Sequence, residues 1–228
     1  MTRILNVARM QWINRATFVT VPLIVLGGAF LVSLLVYAVI PSDGPMYGGG
    51  GQAPLWYFLV IGIQSLTLTF PFSQAMSVTR REFFFGTTLA AAVTALPLSL
   101  IFVVAGLIEE ATGGWWMNGW MFYLPWMWTD GAFGAWLLYF SLPMLFFMTG
   151  FTISTLYKRF GMVTLTVSLI GLSALLVLVV ALITWLEAWM SVWLWLAGTT
   201  VIGLAGYLLL GSAILGVLSL LMIRRAVP

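Results

Sequence analysis

The chain has 228 residues, of which 62% are hydrophobic and 7% charged, and its formal net charge is +3. That is too little polar surface for a soluble globule. With neither cysteine nor histidine, it has no disulfides, no thiolate chemistry, and neither the commonest metal ligand nor the commonest proton shuttle.

In chain order, residues 1–16 mix Arg3, Arg9 and Arg15 with Ile4, Leu5, Ala8 and Trp12, which share one helical side, while Val7 and Met10 fall opposite. This predicts a short helix lying on a membrane surface. A bilayer core about 30 Å thick needs roughly 20 apolar residues per helix at about 1.5 Å rise. Six runs meet that length, at about 18–40, 55–78, 87–108, 132–156, 162–185 and 192–223. The first exceeds a signal-peptide core, and its exit, Ala38-Val39-Ile40-Pro41, lacks a small-x-small cleavage pattern, so it reads as a retained helix. The expected fold is all-α: a polytopic membrane protein of six transmembrane helices after an interfacial helix, with residues 1–228 forming one transmembrane domain. Pro71, Pro97 and Pro143 fall inside spans two, three and four, where each removes a backbone donor and predicts a kink.

The gaps between runs alternate in charge. Arg3, Arg9 and Arg15, then Arg80 and Arg81, then Lys158 and Arg159, then Arg224 and Arg225 mark every second gap. The others carry Asp43, then Glu109, Glu110 and Asp130, then Glu187, and no Lys or Arg. Lys and Arg are retained on the cytoplasmic side, so both termini are expected there, in a bacterial cell membrane. The basic residues are topological anchors and too dispersed for a nucleic-acid patch. Glu109 and Glu110 are expected on the outer surface.

No charged residue falls inside an expected span, whereas ion-coupled transporters usually hold one there. No glycine-rich loop ends in Gly-Lys-Ser/Thr, so the chain lacks that phosphate cradle. The polar content of the spans is hydroxyls and amides. Gln64, Thr67, Pro71 and Gln74 follow a 3-4-3 spacing that predicts one face of span two. Thr149, Thr152 and Thr155 in span four, and Thr164, Ser168 and Gly171 in span five, form similar runs. Two readings stand: a pathway lined by Gln64, Thr67, Gln74, Thr164 and Ser168, or ordinary hydrogen bonding between helices. Thr199 with Gly203, and Ser212 with Gly216, are small-xxx-small pairs that allow close helix approach. The tryptophans of loop 109–131 and of the segment before span six suit an interfacial belt. The segment Trp185, Glu187, Trp189, Trp193 and Trp195 also suits a shallow return into the outer leaflet.

Between spans two and three lies Ser77-Val78-Thr79-Arg80-Arg81-Glu82-Phe83-Phe84-Phe85-Gly86-Thr87. Glu82 is the only acid on the expected inner side, available to pair with an arginine or meet a partner. The Arg-Arg-Glu-Phe-Phe-Phe-Gly stretch resembles the intracellular turn of ABC-2-type (type V exporter) permease subunits. The resemblance extends to the surface helix, six spans, inner termini and aromatic segment between spans five and six. It implies that Arg80, Arg81, Glu82, Phe83, Phe84 and Gly86 couple to an ATPase. It also implies that spans two and five line the route at a dimer seam, and that Trp185, Glu187, Trp189 and Trp193 belong to a re-entrant segment. The tryptophan-rich loop between spans three and four and the very short Lys158-Arg159-Phe160 turn depart from the family pattern.

The expected function is therefore a non-catalytic membrane subunit of an ATP-driven exporter of an amphiphilic substrate. Its partners are a cytoplasmic ATP-binding subunit, a second permease subunit (identical or related) and the lipid bilayer, with no nucleic acid. It holds no cofactor itself, since ATP and magnesium belong to the partner ATPase. Two alternatives remain: the substrate-binding membrane subunit of a vitamin-type importer, and a non-transporting immunity or scaffold protein.

Overall fold

The computed structural model describes residues 2–13, 16–42 and 44–223, most of them helical. Arg15, Asp43, Arg224 and Arg225, four of the charges behind the expected topology, lie outside the described residues. The helices are α1 (Thr2–Ile13), α2 (Val21–Val39), α3 (Ala53–Gln64), α4 (Phe70–Ala75), α5 (Arg80–Ala111), α6 (Gly131–Trp185), α7 (Trp189–Gly198) and α8 (Val201–Ile223). Two short strands, β1 (Met46–Tyr47) and β2 (Gly119–Trp120), pair in parallel.

Among the described residues, five helical segments are long and apolar enough to cross a membrane: Ala16–Val39, Gly50–Ala75, Arg80–Ala111, Gly131–Trp185 and Val201–Ile223. The fourth has 55 residues, which at about 1.5 Å each is more than twice the roughly 30 Å of a bilayer core. It breaks at Gly161, whose φ of 82° and ψ of 177° are not helical. Both expected spans, about 132–156 and 162–185, thus fall within this one segment. The expected last span, from about 192, is instead two helices, because the chain leaves helical space at Thr199 and restarts at Val201.

Three further expectations are corrected. In α1 the inward face is Val7, Ala8 and Gln11, while Leu5 is exposed, so the helix is rotated relative to its apolar pattern. The reason lies opposite: at Gly86 of α5 an added Cβ would run into the Val7 side chain and the Ile4 carbonyl. Only a bare backbone lets α1 lie so close. Span two is not one regular helix, since Ser65–Thr69 forms a π-helical turn. Pro71 follows it, and having no N–H it cannot continue the i→i−4 ladder. Glu109 is fully buried rather than on the surface.

The core is aromatic: Phe58, Phe70, Phe83, Phe102, Phe147 and Phe151 are all fully buried. Helix α3 packs on the first half of α6 through a reciprocal crossing. A Cβ at Gly62 would overlap the Phe147 carbonyl, and one at Gly150 would overlap the Leu59 carbonyl. Helix α8 lies on the same half of α6, with the Thr152 and Ser219 hydroxyls 2.8 Å apart. At one end, Asp130 accepts from the Ile202 N–H of α8 at 2.9 Å. At the other, the Arg80 guanidinium donates to the Ile223 carbonyl at 3.0 Å. By contrast, residues 162–198 are exposed except at Leu165, Ile183 and Ala188.

Replacing Gly150 with Ala should lower the melting temperature, since overpacking costs on the order of 1–3 kcal/mol. Gly171→Ala, at a glycine with open space around it, should leave melting unchanged. Tryptophan-fluorescence melts of the detergent-solubilised protein would make the comparison.

Candidate functional site

The Arg80 end of the molecule is built from the start of α5. Ser77 turns the chain with a positive φ of 58°, and Thr79 then caps the helix. The Thr79 hydroxyl accepts from the Glu82 N–H at 3.2 Å, and the Glu82 carboxylate accepts from the Thr79 N–H at 2.9 Å and its O–H at 2.8 Å. This reciprocal cap uses the carboxylate locally. Arg3 adds only a 4.0 Å ion pair whose arginine is mostly exposed, which contributes little.

The next residues divide by burial. Phe83 meets the Phe70 ring at 5.1 Å, and Phe84 meets Phe151 at 5.7 Å and lies against Gly216 of α8. Both are buried, as is Gly86 beneath α1, whereas Arg81 and Phe85 are exposed. The elbow thus touches α1, α4, α6 and α8 at once. Its outward chemistry consists of Arg81 and Phe85, and Phe83 and Phe84 serve as its keys.

The candidate pathway residues do not come together. Gln64 lines a cavity of about 70 Å³ with Gln11, Ser65 and Thr69. The Gln11 amide donates to Thr69 Oγ1 at 3.0 Å and Thr87 Oγ1 at 2.9 Å, pinning α1 between spans two and three. Thr67 spends its hydroxyl on the Ile63 carbonyl at 3.0 Å, and Gln74 donates to the Val78 carbonyl at 3.1 Å, closing the turn before α5. Thr164 and Ser168 are exposed, with Thr164 bonded to the Phe160 carbonyl. Of the aromatic segment, Trp185 ends α6, Glu187 sits in the turn with φ of 51°, and Trp189 and Trp193 lie on α7, all exposed.

The opposite end holds a site the sequence reading missed. The Glu109 carboxylate accepts from the Trp115 indole N–H at 2.6 Å and from the backbone N–H groups of Met121, Phe122 and Tyr123 at 2.9, 2.7 and 2.5 Å. The Phe122 carbonyl in turn accepts the Tyr139 hydroxyl at 2.6 Å and the Trp128 indole at 3.1 Å. The Tyr37 hydroxyl donates to the Trp120 carbonyl at 3.2 Å, beside the β1–β2 pair. One acid therefore organises the tryptophan-rich loop over the helix ends. Glu110, by contrast, is exposed, and as the acceptor beside Tyr123 it raises that hydroxyl's pKa above its ordinary value. The signal separating the two acids was helical phase, because Leu98, Phe102, Gly106 and Glu109 continue one buried stripe and Glu110 does not.

Glu109→Gln turns one of the two acceptor oxygens into a donor facing buried N–H groups, a mismatch of about 1–3 kcal/mol. Hydrogen exchange at Met121–Tyr123 should then speed up by an order of magnitude or more, while Glu110→Gln leaves it unchanged. Among the described residues no group of three or more acidic side chains offers a metal site. No family model, curated protein or solved structure matches the chain.

Proposed function

We propose that the chain is the membrane-spanning subunit of an ATP-driven exporter, energised by a separate cytoplasmic ATPase and paired with a second permease subunit. In this reading the segment broken at Gly161 crosses twice, giving six crossings with both termini in the cytoplasm of a bacterial cell. Lys158 and Arg159 at that break then lie on the same side as Arg80 and Arg81. Cargo is an amphiphile, and ATP and magnesium are bound by the partner alone.

The observation that carries the reading is the construction of the elbow. A coupling turn has to be stiff, exposed on one side and joined to several helices on the other. Here the Thr79–Glu82 cap stiffens the turn. Arg81 and Phe85 face outward, while Phe83, Phe84 and Arg80 grip α4, α6 and α8. A push on Arg81 and Phe85 is passed to those helices together, without any titratable group inside the membrane.

The test is copurification from the native membrane in mild detergent. The tagged chain should bring down a nucleotide-hydrolysing subunit, and Arg81→Glu with Phe85→Ala should reduce that yield at least tenfold with unchanged melting. Recovering no ATPase with the parent chain would overturn the assignment, and so would full recovery with the double variant.

A further inference from the structure

A groove runs between the α1–α2 corner and α5. The chain turns through the π-helical residues Ala16–Thr20, and the corner stands off from α5 by a cleft of about 370 Å³. That volume lies in the range of small-molecule sites, roughly 300–1,000 Å³. Its walls include Phe18, Pro22 and Leu23 on one side and Pro97, Leu98 and Ile101 on the other. Among the described residues the one hydroxyl in the wall, Thr94, is already closed: it donates to the Ala90 carbonyl at 2.9 Å and accepts the Trp12 indole N–H at 3.2 Å. None of the described lining residues asks for a hydrogen bond. A peptide occupant would bring backbone groups that this wall cannot satisfy, whereas a hydrocarbon chain brings none.

The groove opens at Trp12 and Val19 into a second cleft of about 660 Å³, lined also by Arg9. Arg9 is exposed and has no acid partner among the described residues. The acid at this end, Glu82, is engaged by the Thr79 cap and Arg3. Along α5, Thr94 is twelve residues past Glu82 and Ile101 nineteen, so at about 1.5 Å per residue the groove runs from roughly 18 to 29 Å inward. A cation at the mouth and a dry apolar slot leading inward are complementary to a phosphate head with a hydrocarbon tail.

We infer that this groove holds one acyl chain of an anionic phospholipid whose phosphate sits on Arg9, with the lipid acting as a wedge that fixes α1 and α2 against α5. The inference needs only that these helices lie in a membrane. It stands apart from the transport reading, and its test uses no ATPase.

The full chain is delipidated in mild detergent and given phosphatidylglycerol, phosphatidylcholine or inorganic phosphate, with melting and native mass spectrometry as readouts. Phosphatidylglycerol should raise the melting temperature by several degrees and remain bound, while phosphatidylcholine and phosphate should do neither. Arg9→Gln should weaken phosphatidylglycerol retention about fivefold, the weight of one basic side chain at an anionic surface. Val93→Trp, from the groove wall, should abolish retention by filling the slot. Equal effects of the two lipids, a phosphate effect matching the lipid's, or an Arg9→Gln protein with undiminished selectivity would each overturn the site. Because the chain has no cysteine, Leu23→Cys gives a clean check on a protein occupant: efficient disulfide dimers in lipid-replete protein would mean that a second copy covers the groove.

Discussion

Hydrocarbon offers no water to a hydroxyl or an amide, so every polar group placed in it has to be answered by the chain itself. That requirement explains most of the polar content of the helices. Ser65, Thr67, Thr94, Thr149, Thr152 and Thr155 each donate to the carbonyl one turn back. A helical hydroxyl with its own internal acceptor can sit in an apolar bundle without a partner on another helix, so its presence there needs no further explanation. Where polar groups do reach across helices, they act as fasteners: Gln11 to Thr69 and Thr87, Thr152 to Ser219, Asp130 to Ile202.

The same requirement governs the two ends. Helix ends leave backbone groups without partners, and the chain answers them with charged side chains placed in the terminal turns. Glu82 closes the start of α5, Arg80 takes the last described carbonyl of α8, and Glu109 gathers the N–H groups of three consecutive loop residues. Arg80, Glu82 and Glu109 all stand in terminal turns of α5, where a charge can relieve polar mismatch rather than create it. The carboxylate of Glu109 is tolerable in a buried place because donors converge on it.

Much of the helical layout was legible from the sequence. Long apolar runs locate α2 and the ends of α5 and α8 to within about three residues, since helix formation in hydrocarbon follows from hydropathy, but α5 begins seven residues before its expected start and α8 nine after. The role of Glu82 was not foreseen: expected to pair with an arginine or meet a partner, it closes a capping box with Thr79, three residues earlier, and Arg3 lies only 4.0 Å away. What was not legible depends on neighbours. The rotation of α1 is set by Gly86, a residue on another helix. The Gly62–Gly150 crossing carries no pattern within either helix alone. The π-helical turn at Ser65–Thr69 displaced the regular period on which the shared face of Gln64, Thr67 and Gln74 was reckoned. Thr164 and Ser168 kept their spacing but are exposed within this chain. Glu109 was hidden for a different reason: composition assigns two adjacent acids the same fate, and only the helical phase tells them apart.

The corner at Gly161 carries a consequence of its own. Its φ of 82° and ψ of 177° belong to a region of backbone space that is essentially closed to residues with a side chain. The angle between the two rods is thus written into one achiral position rather than into interdigitating surfaces. Beyond it, side chains from Met162 to Trp185 meet almost nothing within this chain, whereas the bundle before the corner is closely packed. The direction in which the limb leaves the bundle therefore hangs on one glycine, and a side chain there would redirect the limb as a whole.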